Sequence, residues 1–367
     1  MLILAIESSC DETACAVVED GIKEIASELA TSADLHHKTG GIVPEVAARK
    51  QVEFIVPIIE STINKTADYF KIPPDRVKDK IDAVAATVGP GLVGSLIVGV
   101  EAAKALALAW NKPLIPVNHL VGHIYGNFVG DKVMGVFPAV VLIVSGGHTD
   151  LVLMKNHGDL EYLGGTIDDA AGEAFDKAAR LLNLAMYLGG ANLSKTAHDY
   201  SGPTLLEKLP RSFMHEDNFD FSFSGLKTAV KRMVDKNIYP VPAIAKEFEE
   251  AVVEVLVEKT LKAVKHTGAR SIMLGGGVSA NQKLREELAN RVKMLAGVSQ
   301  PSRSGSRISP PTPANVCDAP HPLRLFIPPL KLCTDNAVCI ASTAFFNQTV
   351  KPFDQIVPNP SLTIKDY

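Results

Sequence analysis

The chain opens on two apolar runs rich in strand formers, Ile3 to Ile6 and Ala14 to Val18, separated by the polar stretch Ser8-Ser9-Cys10-Asp11-Glu12-Thr13. This pattern predicts a β-hairpin with a polar tip. The plan recurs where Val140 to Val144 and Leu151 to Met154 flank Ser145-Gly146-Gly147-His148-Thr149. Two such hairpins, each opening one half of the chain, imply an internal structural duplication. Ala83 to Val88 and Leu114 to Val117 read as further strands, the second leading into a helix from about Asn118. Ala170 to Leu182 reads as a helix, and Ala243 to Lys265 as a long one, with Ile244, Phe248, Val252, Leu256 and Leu261 at helical spacing. Ser271 to Leu274 is a predicted strand, followed by Gly275-Gly276-Gly277 and a helix starting near Ala280. Strands alternating with helices predict an α/β architecture.

Two stretches break this rhythm. Ala83 to Val100 carries no charge and is long enough to raise a membrane span. Gly89-Pro90-Gly91 interrupts it, so it reads as a buried strand, a turn and a buried helix from about Val93. Leu295 to Pro329 is dense in Pro, Ser and Arg and reads as a long irregular insertion. A short strand at Leu332, a helix from Asn336 to Phe346 and a tail complete the chain.

At 367 residues the chain exceeds what one core holds, so two domains are expected. A hydrophobic fraction of 46%, a charged fraction of 21% and a net charge of −4 suit a soluble globular protein and exclude a strongly basic scaffold. A local basic patch would still serve for nucleic acid. The five cysteines are odd in number and form no Cys-x-x-Cys pair, which argues against a disulfide framework or a cysteine zinc site. They read as reduced thiols of a cytoplasmic protein. The opening Met1-Leu-Ile-Leu-Ala-Ile-Glu7 lacks a basic leader and reads as a strand rather than a signal peptide.

The strongest chemical signal is His119 and His123, four apart on a helix and therefore on one face, a spacing that lets both imidazoles bind one metal ion. Two histidines sharing a face by chance is the plain alternative. Asp335 lies at an expected strand-to-helix junction, where it is either a third ligand or a helix N-cap. Ser145-Gly146-Gly147 and Gly275-Gly276-Gly277 permit close backbone approach to a ligand, and the second lies between strand and helix, where nucleotides bind in α/β folds. Neither the dinucleotide Gly-x-Gly-x-x-Gly pattern nor a P-loop is present. Acidic side chains gather at Asp11 and Glu12 and along Asp168, Asp169, Glu173 and Asp176. Favourable pairing with a helix dipole accounts for Asp168 and Asp169 but poorly for the deeper Asp176.

These pieces resemble the TsaD-type tRNA adenosine threonylcarbamoyltransferases, formerly called O-sialoglycoprotein endopeptidases. The matching strings are Ile6-Glu-Ser-Ser-Cys-Asp-Glu-Thr13, Gly40-Gly-Ile-Val-Pro-Glu45, Gly89-Pro-Gly-Leu-Val-Gly94, His119-x-x-x-His123 and Val144-Ser-Gly-Gly-His-Thr149. They continue with Ile167-Asp-Asp-Ala-Ala-Gly-Glu-Ala-Phe-Asp-Lys177, Asp220-Phe-Ser-Phe-Ser-Gly-Leu-Lys227, Gly275-Gly-Gly-Val-Ser-Ala-Asn281 and Cys333-Thr-Asp-Asn336. The family's Tyr-Pro-Gly-Gly-Pro stretch appears as Tyr187-Leu-Gly-Gly-Ala191, and a His that usually follows the second string is Gln51. The usual Met near the end is Cys339.

The resemblance implies the two-lobed actin/Hsp70/sugar-kinase fold, with a ligand cleft between lobes. We expect an N-terminal lobe of residues 1–134 joined by a helix 335–347, a C-terminal lobe of residues 135–334 with the insertion 295–329, and a tail 348–367. It further implies that His119, His123 and Asp335 bind iron or zinc. Ile143, Val144, Ser145, Gly146, Gly147, Asp176, Gly190 and Asn281 would contact nucleotide and substrate, and Asp11 and Glu12 would lie near the reacting group. The implied reaction moves threonylcarbamoyl from threonylcarbamoyl-AMP to N6 of the adenine beside the tRNA anticodon, in tRNAs reading codons that begin with A. The implied partners are tRNA, a structural paralogue (TsaB-like) and an ATPase (TsaE-like). Arg49, Lys50, Lys227, Lys231 and Arg232 are candidate tRNA contacts. Rival readings are a small-molecule kinase of the same fold, a non-catalytic nucleotide-binding subunit, and a metalloprotease. The last lacks the glutamate base of His-Glu-x-x-His, since Leu120 stands in its place.

Overall fold

Both expected hairpins form in the computed structural model, which describes residues 1–33, 35–36, 41–130, 136–185, 187–295 and 322–367. β1 (Leu2–Glu7) pairs antiparallel with β2 (Glu12–Glu19), and β2 with β3 (Lys23–Thr31). β4 (Ala83–Gly89) and β5 (Leu114–Asn118) extend the other edge in parallel, giving the order β3-β2-β1-β4-β5. The second half repeats this. β6 (Ala139–Val144), β7 (Thr149–Asn156) and β8 (Asp159–Gly165) are antiparallel neighbours, and β9 (Ser271–Gly275) and β10 (Arg324–Phe326) add in parallel. Read from its antiparallel edge the second sheet runs β8-β7-β6-β9-β10, the same plan as the first. The duplication inferred from the two hairpins is therefore a duplication of whole sheets.

The central strands are apolar on both faces because both faces are covered. On β1, Leu4 and Ile6 join the core beneath the helices Pro44–Phe70 and Val93–Trp110, while Ile3 and Ala5 pack against the helix Ala337–Phe346. On β6, Val140, Leu142 and Val144 meet the core of the long helix Val241–Thr267, and Val141 and Ile143 face a second core containing Leu120, Val121 and Ile124 of the helix His119–Tyr125. The same short helix also contacts β4 and β5, and so joins the two sheets.

Four expectations need correction. The helix Val93–Trp110 is not buried throughout. Leu96, Val100 and Ala103 face the core, while Val93, Ile97 and Leu108 are exposed. Among the described residues it is the one helix long and apolar enough to cross a membrane, and here its inner face packs on β4. Leu330–Leu332 is a 3-10 turn rather than a strand, and among the described residues no strand pairs with it. The region read as an irregular insertion contributes β10, whose Leu325 sits opposite Ile272; its residues 296–321 lie outside the described residues, as does the expected boundary between 134 and 135. Finally, a 3-10 turn, Gly277–Ala280, follows β9, and the α-helix begins at Gln282 because Asn281 Oδ1 accepts from Leu284 N.

Candidate metal and substrate site

The helix His119–Tyr125 starts where β5 ends, with Asn118 as its N-cap: Asn118 Oδ1 accepts from Leu120 N at 2.9 Å. This places His119 at the first position and His123 one turn on. Their rings lie 4.6 Å apart at 72°. Asp335 arrives from the far end of the chain. The helix Ala337–Phe346 is capped by its neighbour: Asn336 Oδ1 accepts from Cys339 N, so Asp335 is not that cap. Asp335 Oδ1 stands 3.5 Å from His119 Nε2 and 3.5 Å from His123 Nε2. One ligand atom from each of the three residues falls within 4.8 Å of the others.

Those separations fit a cation. Ligands about 2.1 Å from a metal in tetrahedral array stand about 3.4 Å apart. The charge balance fits as well. Glu7, fully buried on β1, was not singled out in the sequence, although a glutamate closing an otherwise apolar strand was the available signal. Its Oε2 lies 3.1 Å from His119 Nδ1 and accepts from Thr87 Oγ1 at 2.6 Å, while Oε1 accepts from Ser9 N at 2.6 Å. Burial pushes Glu7 upward, but His119 and these hydrogen bonds bring it down to about 2. Burial likewise works against a charged His119, yet the Asp335 and Glu7 carboxylates outweigh it and raise the ring to about 9. Burial raises Asp335, with His119 opposing. A buried pocket lined by two carboxylates thus favours positive charge between them, and a divalent ion would supply it.

The first hairpin tip lies alongside. Ser9 Oγ donates to Asp335 Oδ2 at 3.3 Å. Asp11 is buried, and its Oδ2 accepts from Tyr187 Oη of the second half at 2.8 Å. Burial, then Asp335 and Asp11, raise Glu12 to about 10. Gln51, where the resemblance leads one to expect His, is buried and donates through Nε2 to Cys10 O at 2.8 Å and Glu12 O at 3.1 Å. It holds the tip in place.

The glycine turns converge on the same helix. A Cβ at Gly275 would stand 2.9 Å from His123 O, and one at Gly276, which has φ +89°, 2.5 Å from Val144 O. Only glycine allows β9 to approach the histidine helix and the end of β6 this closely. Gly146 and Gly147 meet nothing within 4 Å and face open space. Ile143 and Val144 are fully buried, so only their main chain can reach a ligand. Burial, then the His119 charge, lower His148 to about 4.

Asp176, Gly190 and Asn281 gather around another helix, Gly189–His198. Asp176 Oδ1 accepts from Gly190 N at 3.0 Å, and Asn281 Nδ2 donates to Ser194 Oγ at 2.9 Å and Glu249 Oε1 at 2.7 Å. Asp168 and Asp169 do not act on the dipole of their own helix. Asp168 accepts from Ser222 Oγ, Phe223 N and Ser224 Oγ at the start of the helix Ser224–Lys236, and Asp169 pairs with Lys177. Arg49 and Lys50 pair with Glu45 and Glu53, whereas Lys227, Lys231 and Arg232 are exposed along Ser224–Lys236.

Comparison with known proteins agrees with this picture. The family model for TsaD, tRNA N6-adenosine threonylcarbamoyltransferase, matches residues 23–342. The enzyme of that name from Dehalococcoides mccartyi (strain CBDB1) is 45% identical over 347 residues, covering 94% of this chain and 93% of its own. That of Geobacillus kaustophilus is 42% identical over 370 residues, covering 99% and 96%. The crystal structure of T. kodakarensis HypF aligns with TM-score 0.58 at 14% identity, over 94% of this chain and 47% of that one, a likeness of fold. The fold is the two-lobed actin/Hsp70/sugar-kinase-like one, with its two repeated sheets. A match in both the family model and relatives covered over more than nine-tenths of their length establishes that the chain belongs to the tRNA N6-adenosine threonylcarbamoyltransferase family.

Proposed function

We propose that this chain performs the family's reaction with threonylcarbamoyl-AMP as donor and N6 of the adenine next to the anticodon as acceptor. N6 bonds to the carbamoyl carbon, the bond from that carbon to the phosphate oxygen breaks, and AMP leaves. The acceptor amine is a weak nucleophile because its lone pair is conjugated into the ring. Positioning and charge stabilisation must therefore supply most of the rate.

The convergence of His119, His123 and Asp335 within 4.8 Å carries the reading. These residues would hold one divalent ion, iron or zinc, which when bound supplies Lewis-acid polarisation and fixes the donor's orientation. Asp11 is the better placed of the two hairpin acids to take the N6 proton, because Tyr187 Oη aims its carboxylate across the cleft. The Ser145-Gly146-Gly147 turn offers main-chain N–H groups and open room for the phosphate. Asp176, Gly190 and Asn281 would serve the nucleoside part, beside a cavity of about 400 Å³ lined by Ser194, Lys246 and Glu249. Lys227, Lys231 and Arg232 would meet tRNA phosphates.

The same reading divides the chain into lobes 1–134 plus 335–347 and 135–334, with a tail 348–367, and places the protein in the cytoplasm with its tRNA. A structural paralogue would dock on the exposed apolar side chains of the neighbouring helices Pro44–Phe70 and Val93–Trp110, where Val52, Val56, Val93 and Ile97 face outward. An ATPase would complete the set. The kinase and protease readings gain no support from the relatives.

The test is transfer of labelled threonylcarbamoyl from its adenylate to tRNA by wild type, His119→Ala and Asp335→Asn. Loss in both variants is expected. Equal transfer by all three removes the metal role, and no transfer by wild type with its partners removes the reaction.

A further inference from the structure

Residues 356–367 run back over the molecule and end on the helix that carries both histidines. Ile356 is buried in the first lobe's core. Asn359 N donates to Val88 O at 2.7 Å, attaching the segment to the end of β4. Four residues on, Thr363 O accepts from Asn118 Nδ2 at 3.0 Å, while the other atom of the same amide, Asn118 Oδ1, caps the histidine helix at Leu120 N. Thr363 is itself held, because its N and Oγ1 donate to Asp366 Oδ2 at 2.6 and 2.8 Å. Ile364 is 4% exposed and packs with Leu120, Val121 and Ile124 of that helix. Lys365 Nζ lies 4.1 Å from the centre of the Tyr162 ring, on β8 of the other lobe.

We propose that this C-terminal segment is a strap that positions the metal-binding helix, with Asn118, Thr363 and Ile364 as its positioning residues. A helix of seven residues is too short to hold itself together and depends on its cap and its packing. An amide offers donors on one side and an acceptor on the other. With Nδ2 engaged by Thr363 O, Oδ1 must face Leu120 N. The strap therefore sets the main chain at His119, while Glu7 sets its ring. The strap's geometry is independent of any ion; its consequence for metal affinity rests on the metal reading above.

The full-length chain is compared with Ile364→Ala and with Asn118→Asp, which keeps a cap acceptor but loses the donor to Thr363. Two readouts are taken. Hydrogen exchange of residues 118–125 in metal-free protein is expected to accelerate about tenfold in both variants. The Kd for Zn²⁺, measured against a chelating dye, is expected to rise about tenfold, the lower end for residues that orient metal ligands. Wild-type exchange at 118–125 in both variants overturns the strap. A wild-type protein that binds no Zn²⁺ and no Fe²⁺ overturns the metal reading instead, and leaves the exchange result to decide the strap. If Ile364→Ala fails to fold, Asn118→Asp decides, because it removes no packing volume.

Discussion

Glu7 and His119, 112 residues apart in sequence, are joined through Oε2 and Nδ1 at 3.1 Å, and this contact points His119 Nε2 at Asp335. A buried carboxylate behind a ligating imidazole fixes both its tautomer and its direction. Glu7→Gln keeps the shape but withdraws the charge. We expect it to weaken Zn²⁺ binding and transfer activity by about 10- to 100-fold, with the fold retained. Competition with a chelating dye and circular dichroism check both halves.

Tyr187 reaches from the second lobe to Asp11 of the first. Tyr187→Phe removes that hydrogen bond alone. Hydrogen bonds to charged groups contribute about 1.5–3 kcal/mol, so kcat should fall about 10- to 100-fold if Asp11 acts as base. KM for tRNA should stay within about twofold if Tyr187 acts only through Asp11. Steady-state transfer kinetics separate the two; a rise in KM with kcat unchanged would falsify the assignment.

Gln51 satisfies carbonyls of the hairpin tip from a fully enclosed position. Gln51→Ala removes this donor, leaving Cys10 O only the hydrogen bond from Ser95 Oγ, and should cost about 2 kcal/mol. Gln51→His, the residue the family resemblance leads one to expect, should cost less than about 1 kcal/mol, since one ring N–H can still reach a carbonyl. Chemical denaturation of the two variants measures the difference.

Asp168 carries the pH dependence that is easiest to read. Burial opposes its charge, but hydrogen bonds from Ser222, Phe223 and Ser224 hold its carboxyl below the usual range. Its contribution is therefore complete above the unfolded carboxylate value of about 4 and is lost as pH falls through the lower folded value. The group is exposed, so the effect is modest, about 1 kcal/mol. Asp168→Asn should lower stability at pH 7 and flatten the acid limb below about pH 4. Urea unfolding across that range tests it; an unchanged slope sinks the idea.

The chain's own pattern was enough to give both hairpins, most helices, the pair His119 and His123, and the doubled plan, because these depend on periodicity and short spacing. The nine motifs in order gave the family. The sequence could not show whether Asp335 or Asn336 caps the last helix. Local geometry gives the cap to Asn336, a choice between two adjacent residues. Nor could it show Glu7 behind His119, Tyr187 on Asp11 or Thr363 on Asn118, since each pair spans more than a hundred residues. Such contacts exist only once the helix His119–Tyr125 has packed against strands of both sheets and brought them together. The short strand β10 was missed for the same reason: three residues make a strand only when β9 offers them an edge.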